Sequence, residues 1–425
     1  MTTAAPPVAR RLPAATLISY SVFGMPLAMA ALPLYVQLPK FYGGHLGVDL
    51  ALLGGVLLGL RLVDGAIDPL LGALSDRGGA RKRWLAFAAP LLALGMAGLF
   101  LPLPRGGVAL IAWLAAMLAI VYLGFSLATI NHNAWGAELS ADPVERTRIT
   151  ALREGLALCG VVIAAVVPSF LGGNDGGLGR FAILYAGFTL ACLAITLLGT
   201  PDGALPASRH GAGSRLRDLI AQPLADPFFR RLLIVFMLNG IAAAIPATLV
   251  LFFISDVLDA ESRQGLFLTL YFVAGAAGMP VWVSISARVG KPQAWLVAMG
   301  LAIVSFVWAS RLGAGDTSEF ALICVLSGLA LGADLALPPS LLADVIGRRG
   351  RMEATGSYFG LWTLATKLNL ALAAGIALPL LEALGYQPGG RDTAGLTALA
   401  VVYALLPCVL KLGAGAALLR FRRFQ

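Results

Sequence analysis

The sequence predicts an all-α polytopic membrane protein, with twelve transmembrane helices in two six-helix bundles and both termini cytoplasmic. Three observations carry this. The 425 residues are 59% hydrophobic and only 12% charged, against about half and about a quarter in soluble domains. Apolar runs of about 20 residues, enough to cross a bilayer, recur along the whole chain. Lys and Arg gather in every second connection, the mark of loops that stay in the cytoplasm.

In chain order the spans fall at 14–38, 48–73, 83–103, 107–137, 153–171, 180–199, 232–254, 265–286, 292–310, 319–343, 356–382 and 395–419. The first residues lead straight into a span too long for a cleavable signal peptide. Most connections are short. The exception is 200–231, polar and rich in Pro, Gly and Arg. It divides the chain into an N-terminal bundle (1–199), a cytoplasmic linker (200–231) and a C-terminal bundle (232–425). Of the 31 Lys and Arg, 22 fall at the termini, in the linker and in alternate connections, and 6 fall on the other side. Only Arg61, Lys367 and Lys411 lie within spans. This asymmetry suits the inner (cytoplasmic) membrane, and it explains the net charge of +9 without a nucleic-acid partner. Cys159, Cys192, Cys324 and Cys408 sit in apolar runs and pair by spacing with no His or Cys, so neither a disulfide nor a metal site is expected. A weak repeat links the halves: Ser75, Arg77, Gly79 and Trp84 return as Ser286, Arg288, Gly290 and Trp295.

The stretch Arg61–Trp84 organises the chain. Asp64 and Asp68 share one helical face, with Arg61 one turn before Asp64. Carboxylates inside a span are expensive unless they face a wet cavity, an ion or a cationic partner. They therefore read as an intramembrane cation or substrate site; the alternative is a shorter helix with all three charges among the headgroups. Pro69 is expected to bend this helix. Lys367 is the natural counter-ion, because a buried lysine and two buried carboxylates neutralise one another and a coupling cation competes with the lysine. A purely structural Lys367 is the alternative. Two carboxylates one turn apart resist carrying two charges at once, which suits proton exchange. In the fourth span Asn131, His132, Asn133 and Trp135 form a polar cluster, read as a substrate or cation contact; a helix–helix clamp is the alternative. Asp334, deep in the tenth span, is expected to pair with Lys367 or to line the C-terminal half of the cavity. Glu138, Asp142 and Glu145 read as latches or as a solvated loop. Tyr20, Trp282 and Trp362 could face cavity or lipid. The many glycines within spans indicate close helix packing.

These residues carry a resemblance. Gly72, Asp76 and Arg77, followed by Arg81, Lys82 and Arg83, resemble the second-loop signature of the major facilitator superfamily. Arg61, Asp64, Asp68, Pro69 and Gly72 look like the second helix of the glycoside–pentoside–hexuronide:cation symporters, the melibiose-permease-like group. Ala137–Ser140 through Glu145–Arg148 to Arg153 resemble that group's connection between spans four and five. Pro338, Ser340, Ala343 and Asp344 resemble its tenth-span ending, and Lys367 its eleventh-span lysine.

The resemblance implies the major facilitator fold and symport of a small solute, such as a sugar or glycoside, with a proton or sodium ion by alternating access. It implies a cation site of Asp64, Asp68, Asn131 and Lys367. Substrate contacts are expected from Asn131, His132, Asn133, Trp135, Arg153, Asp334, Lys367, Arg61 and Tyr20. A cytoplasmic latch is expected from Asp76, Arg77, Glu138, Arg146 and Arg148. No cofactor is expected beyond the coupling ion, and the chain is expected to act as a monomer in the bilayer. The sequence departs from the group at Ile67 and Ala128, where a sodium site has Asn and Thr. That favours a proton, with sodium the alternative and Thr129 able to restore one oxygen. Ala28 replaces the acidic residue that anchors a sugar, which argues against an ordinary galactoside. A lysolipid-like substrate is a second reading within transport, and a membrane receptor or sensor is one outside it. No nucleophile–base constellation, metal spacing or phosphate-binding glycine loop points to an enzyme.

Overall fold

A computed structural model describes residues 11–422 except 32, 79, 105, 172–176, 204–215, 388 and 391. The linker segment around Arg209 and Arg215, Gly79 of the repeat, and the basic residues Arg10, Arg105, Arg391 and Arg423 therefore lie outside the described residues.

The described chain forms twelve long helical passages. They are α1 (Ala14–Met29), α2 (Leu50–Gly78), α3 (Arg81–Phe100), α4 (Gly107–Glu138), α5 (Pro143–Phe170) and α6 (Gly177–Gly199). After a short helix at Leu216–Ala225 come α7 (Pro227–Phe252), α8 (Gln264–Val289), α9 (Lys291–Ala309), α10 (Thr317–Arg348), α11 (Thr355–Ala383) and α12 (Thr393–Arg422). Nine helices among the described residues are long and apolar enough to cross a membrane. The other three passages depart for legible reasons. α1 is interrupted at Val22–Phe23, one turn before Pro26, and after it the chain continues through π-type turns at Pro33–Gln37 and Phe41–His45, because each proline removes a backbone donor. α2 carries Arg61, Asp64 and Asp68, and α5 opens on a charged first turn.

Two boundaries correct the sequence reading. α5 begins at Pro143, not at 153, so Arg146, Arg148 and Arg153 stand on a helix rather than in a loop. Asp142 caps it, accepting from Val144 N at 3.0 Å, with Pro143 in the first turn. α7 begins at Pro227 by the same device: Asp226 accepts from Phe228 N at 2.8 Å. α2, in turn, runs as one helix through Pro69.

Packing closes the side that bears the basic connections. α2 lies along α11, and α5 lies along α8 and α10. One hydrophobic cluster joins the first six helices to the basic-side ends of the last six, through residues such as Phe229, Trp295, Leu341 and Tyr358. The opposite ends of α7, α8 and α10–α12 form a separate cluster around Phe253, Phe320 and Tyr403. Among the described residues the halves share that core and a smaller cluster of Ala151 and Leu158 on α5 with Met279 on α8 and Ala336 on α10.

Candidate functional site

Three helices bring a charge centre together midway along their lengths. Lys367 of α11 lies between the two aspartates of α2, its Nζ 2.6 Å from Asp64 Oδ2 and 2.8 Å from Asp68 Oδ2. It donates to Asp68 Oδ1 at 3.0 Å and to Ser126 Oγ of α4 at 2.9 Å. Ser126 in turn donates to Asp64 Oδ1 at 2.8 Å. Asp64 is 5% exposed and Asp68 fully buried. This excludes the headgroup-layer reading: the carboxylates are interior, and their cationic partner comes from the other half of the chain. Asp68 Oδ2 lies close to the ammonium but has no hydrogen bond aligned on it. Arg61 is half-buried one turn away on α2.

The fourth-helix member of this centre is Ser126, not Asn131. Asn131 is fully buried nearer the basic side, where its Oδ1 accepts a short hydrogen bond from Ser75 and its Nδ2 donates to Leu127 O at 2.8 Å. The polar cluster expected to touch substrate is used in this structure as a clamp. His132 Nε2 pairs with Tyr20 O at 2.9 Å, Tyr20 donates to His132 O at 2.7 Å, and their rings lie 4.3 Å apart. Trp135 is 1% exposed and donates to Pro201 O at 3.1 Å, toward the linker. Asn133 and Arg153 border a gap of only about 10 Å³, too small for a solute. Arg153 pairs with Glu154.

On the basic side the latch is built around Arg81. Its guanidinium reaches Asp76 Oδ1 and Glu138 Oε1, both at 2.8 Å, and Ser75 Oγ at 2.5 Å. Asp76 is therefore paired with Arg81 rather than with its neighbour Arg77, which is exposed at the end of α2. The Asp76 carboxylate also caps α11: Oδ1 accepts from Gly356 N at 2.6 Å, and Oδ2 accepts from Ser357 N and Oγ at 2.7 Å. A carboxylate at a helix N-terminus satisfies orphan donors and the helix dipole together. Arg146 of α5 forms the second clasp, donating to Ala343 O at 2.9 Å and to Asp344 Oδ1 at 3.2 Å on α10. Lys291 holds the other oxygen of Asp344 at 2.5 Å. Arg148 stays on its own helix with Glu145, at 2.9 Å.

Asp334 does not pair with Lys367. Its partner is Lys411 of α12, at 2.8 Å, and Trp295 Nε1 donates to its second oxygen at 2.8 Å. It does line a cavity of about 390 Å³ bounded by α7 to α12. Sequence reasoning noted Lys411 as a charge within a span without giving it a partner, and it passed over Ser126, Lys291, Asn239 and Asn369. Asn239 and Asn369 are polar residues in apolar runs, which is the available signal.

The family described as MFS/sugar transport protein matches residues 17–422. The inner membrane symporter YicJ of Escherichia coli (strain K12) is 24% identical over 259 residues, covering 56% of this chain and 53% of YicJ, so the match spans about half the length of that relative. Among solved structures, a bacterial homologue of the iron transporter ferroportin in an outward-facing state has a TM-score of 0.69 at 17% identity, covering 97% of this chain and all of that one. The E. coli fucose:proton symporter FucP has a TM-score of 0.69 at 13% identity, covering 94% and 98%. At these identities the structures speak for the fold alone.

Proposed function

This chain belongs to the MFS/sugar transport protein family, whose members are transporters and not enzymes, and we propose that it is a cation-coupled symporter of a small solute in the inner membrane. The observation that carries this reading is the contact of Lys367 with both Asp64 and Asp68. One ammonium against two carboxylates leaves one buried negative charge unbalanced. A monovalent cation restores neutrality where an unpaired charge is costly. Binding that cation weakens the hold of α2 on Lys367, and Lys367 stands on α11. Cation loading is thereby linked to the packing of α2 against α11, the motion that alternating access needs. Solute and cation binding then favour each other reciprocally.

A proton is favoured as the coupling ion. The centre offers two carboxylates and Ser126 Oγ, all already in contact with Lys367 or with one another. Asn131, the further oxygen a sodium site would draw on, is bonded to Ser75. A proton needs a single carboxylate oxygen, and the absence of an aligned hydrogen bond on Asp68 Oδ2 supports this reading. No cofactor beyond the ion enters this reading, and one chain contains the whole centre, so the monomer suffices.

The test is uptake into proteoliposomes under an imposed proton gradient, a sodium gradient, or neither. Asp68→Asn is expected to abolish gradient-driven accumulation while leaving facilitated equilibration. Equal accumulation in the variant would overturn the cation assignment. Accumulation driven by sodium alone would replace the proton.

A further inference from the structure

Another cavity, of about 260 Å³, lies on the basic side, where the start of α5 meets the end of α8, the start of α9 and the end of α10. It shares no lining residue with the cavity beside Asp334 and none with the Lys367 centre. Its charged lining is Lys291, Asp344 and Arg348; the first half of the chain contributes Pro143, Val144 and Thr147.

The charges here do not balance. Arg146 and Lys291 are 4% and 6% exposed, and both are held by the one carboxylate of Asp344, itself 4% exposed. Each of its oxygens is engaged by one of the two cations, so its charge is spent. Glu145, next to Arg146 in the chain, is taken by Arg148. One buried positive charge is left over, and the exposed Arg348 at the cavity wall adds another. Both arginines repel the Lys291 ammonium. Buried charge without a counter-charge is costly, and here the surplus borders an open cavity. At the same wall Gly290 gives the first turn of α9 no side-chain cap, so the helix adds to the positive field.

We infer that this cavity binds a phosphate group, and that the bound group favours the form closed on the basic side. A phosphate monoester carries close to two negative charges at neutral pH, which matches the surplus; a carboxylate matches half of it. Its several oxygens take the Lys291 ammonium and the Arg348 guanidinium together. The cavity lies below the usual range of small-molecule pockets, about 300–1,000 Å³, so it suits a compact anionic group over a bulky solute. Both halves of the chain line it, so it is whole only while α5 packs on α8 and α10. A ligand that prefers one form shifts the population toward it. The group has two sources, a free phosphate ester on the basic side or the headgroup of an anionic phospholipid. Neither part of the inference rests on the symporter reading.

The test uses the full chain in an uncharged detergent, unfolded thermally in inorganic phosphate, glycerol 3-phosphate, acetate or chloride at matched ionic strength. A ligand that binds only the folded form raises Tm with its concentration. Phosphate and glycerol 3-phosphate are expected to bind about tenfold or more tighter than acetate or chloride. Lys291→Gln is expected to weaken phosphate binding about tenfold. Arg348→Gln, at an exposed position that does not threaten the fold, is expected to weaken it about threefold. Arg420→Gln, which removes the same charge outside the cavity lining, is expected to leave it unchanged. Phosphate is also expected to slow alkylation of Ala354→Cys, a buried position beside the start of α11, by about threefold or more.

The site is overturned if phosphate stabilises no more than chloride, if Lys291→Gln and Arg348→Gln bind it as the wild type does, or if Arg420→Gln weakens it equally. Should Lys291→Gln not fold, Arg348→Gln against Arg420→Gln decides. Phosphate that binds without slowing the alkylation overturns the conformational part. Nanodiscs of phosphatidylcholine with or without phosphatidylglycerol then separate the sources, and either result supports the site. Loss of the phosphate effect when phosphatidylglycerol is present assigns the headgroup, and its persistence assigns the free ester.

Discussion

Gly72 on α2 and Gly356 on α11 pack backbone against backbone, so that a Cβ added to Gly356 would lie 2.7 Å from Gly72 O. One turn further along, a Cβ on Gly360 would lie 2.6 Å from Asp68 O. The close contact therefore spans from the latch carboxylate Asp76 to the charge centre, and it exists only because these three positions have no side chain.

Gly360→Ala is expected to disfavour the form closed on the basic side. Overpacking costs about 1–3 kcal/mol, which corresponds to a shift of roughly five- to 150-fold toward forms open on that side. A cysteine at Ala354, fully buried beside the start of α11, reports the change. Alkylation of Ala354→Cys by a thiol reagent should accelerate in the Gly360→Ala background. Unchanged labelling would mean that the helices separate elsewhere.

Lys367→Ala leaves Asp64 and Asp68 buried without their ammonium. Breaking a buried pair from one side costs about 3–5 kcal/mol. A marked fall in Tm is expected, together with loss of accumulation. Adding Asp64→Asn to Lys367→Ala should recover much of the stability but not the coupling. If Lys367→Ala alone keeps the wild-type Tm, the pair does not hold α2 to α11.

Ser126 and Asn131 separate the charge centre of Asp64, Asp68 and Lys367 from the clamp nearer the basic side. Ser126→Ala removes an oxygen that touches both Asp64 and Lys367, and it should shift the pH or sodium dependence of uptake. Asn131→Ala should lower Tm by the loss of buried hydrogen bonds, about 0.5–1.5 kcal/mol each, with the cation dependence unmoved. The reverse pattern would restore Asn131 to the cation site.

Arg81→Lys should behave almost as poorly as Arg81→Ala. The guanidinium fork reaches Asp76, Glu138 and Ser75 together, and a single ammonium cannot reproduce that geometry. Transport should fall steeply in both variants. Glu138→Gln should restore part of the lost Tm in Arg81→Ala by removing one stranded charge. Full activity in Arg81→Lys would show that charge alone is what the latch requires.

Asp142→Ala serves as a control for stability without function. Loss of an N-cap costs about 0.5–2 kcal/mol, so Tm should drop while uptake at permissive temperature stays near wild type.

What the sequence by itself determined was what one-dimensional patterns encode. Bilayer length and apolar composition set the number of helices and their approximate limits. The basic asymmetry set the sidedness. The expense of charge in hydrocarbon singled out Asp64, Asp68 and Lys367, and the structure joins them. Asp142–Pro143 and Asp226–Pro227 carry the starts of α5 and α7 as N-caps, which a count of apolar residues does not read. Only the tertiary structure decided which polar residues meet. Asn131 and Ser126 lie on one helix, and the rotation of α4 against α2 sends Ser126 to the aspartates and Asn131 to Ser75. Asp76 is followed by a ready arginine, yet Arg81 reaches it because α3 starts where its side chain can fold back over the end of α2. Asp334 finds Lys411, not Lys367, because α10 and α12 both pack on α9, whose Trp295 also binds Asp334. Contacts between helices depend on rotation and depth in three dimensions, and a list of spans does not contain either.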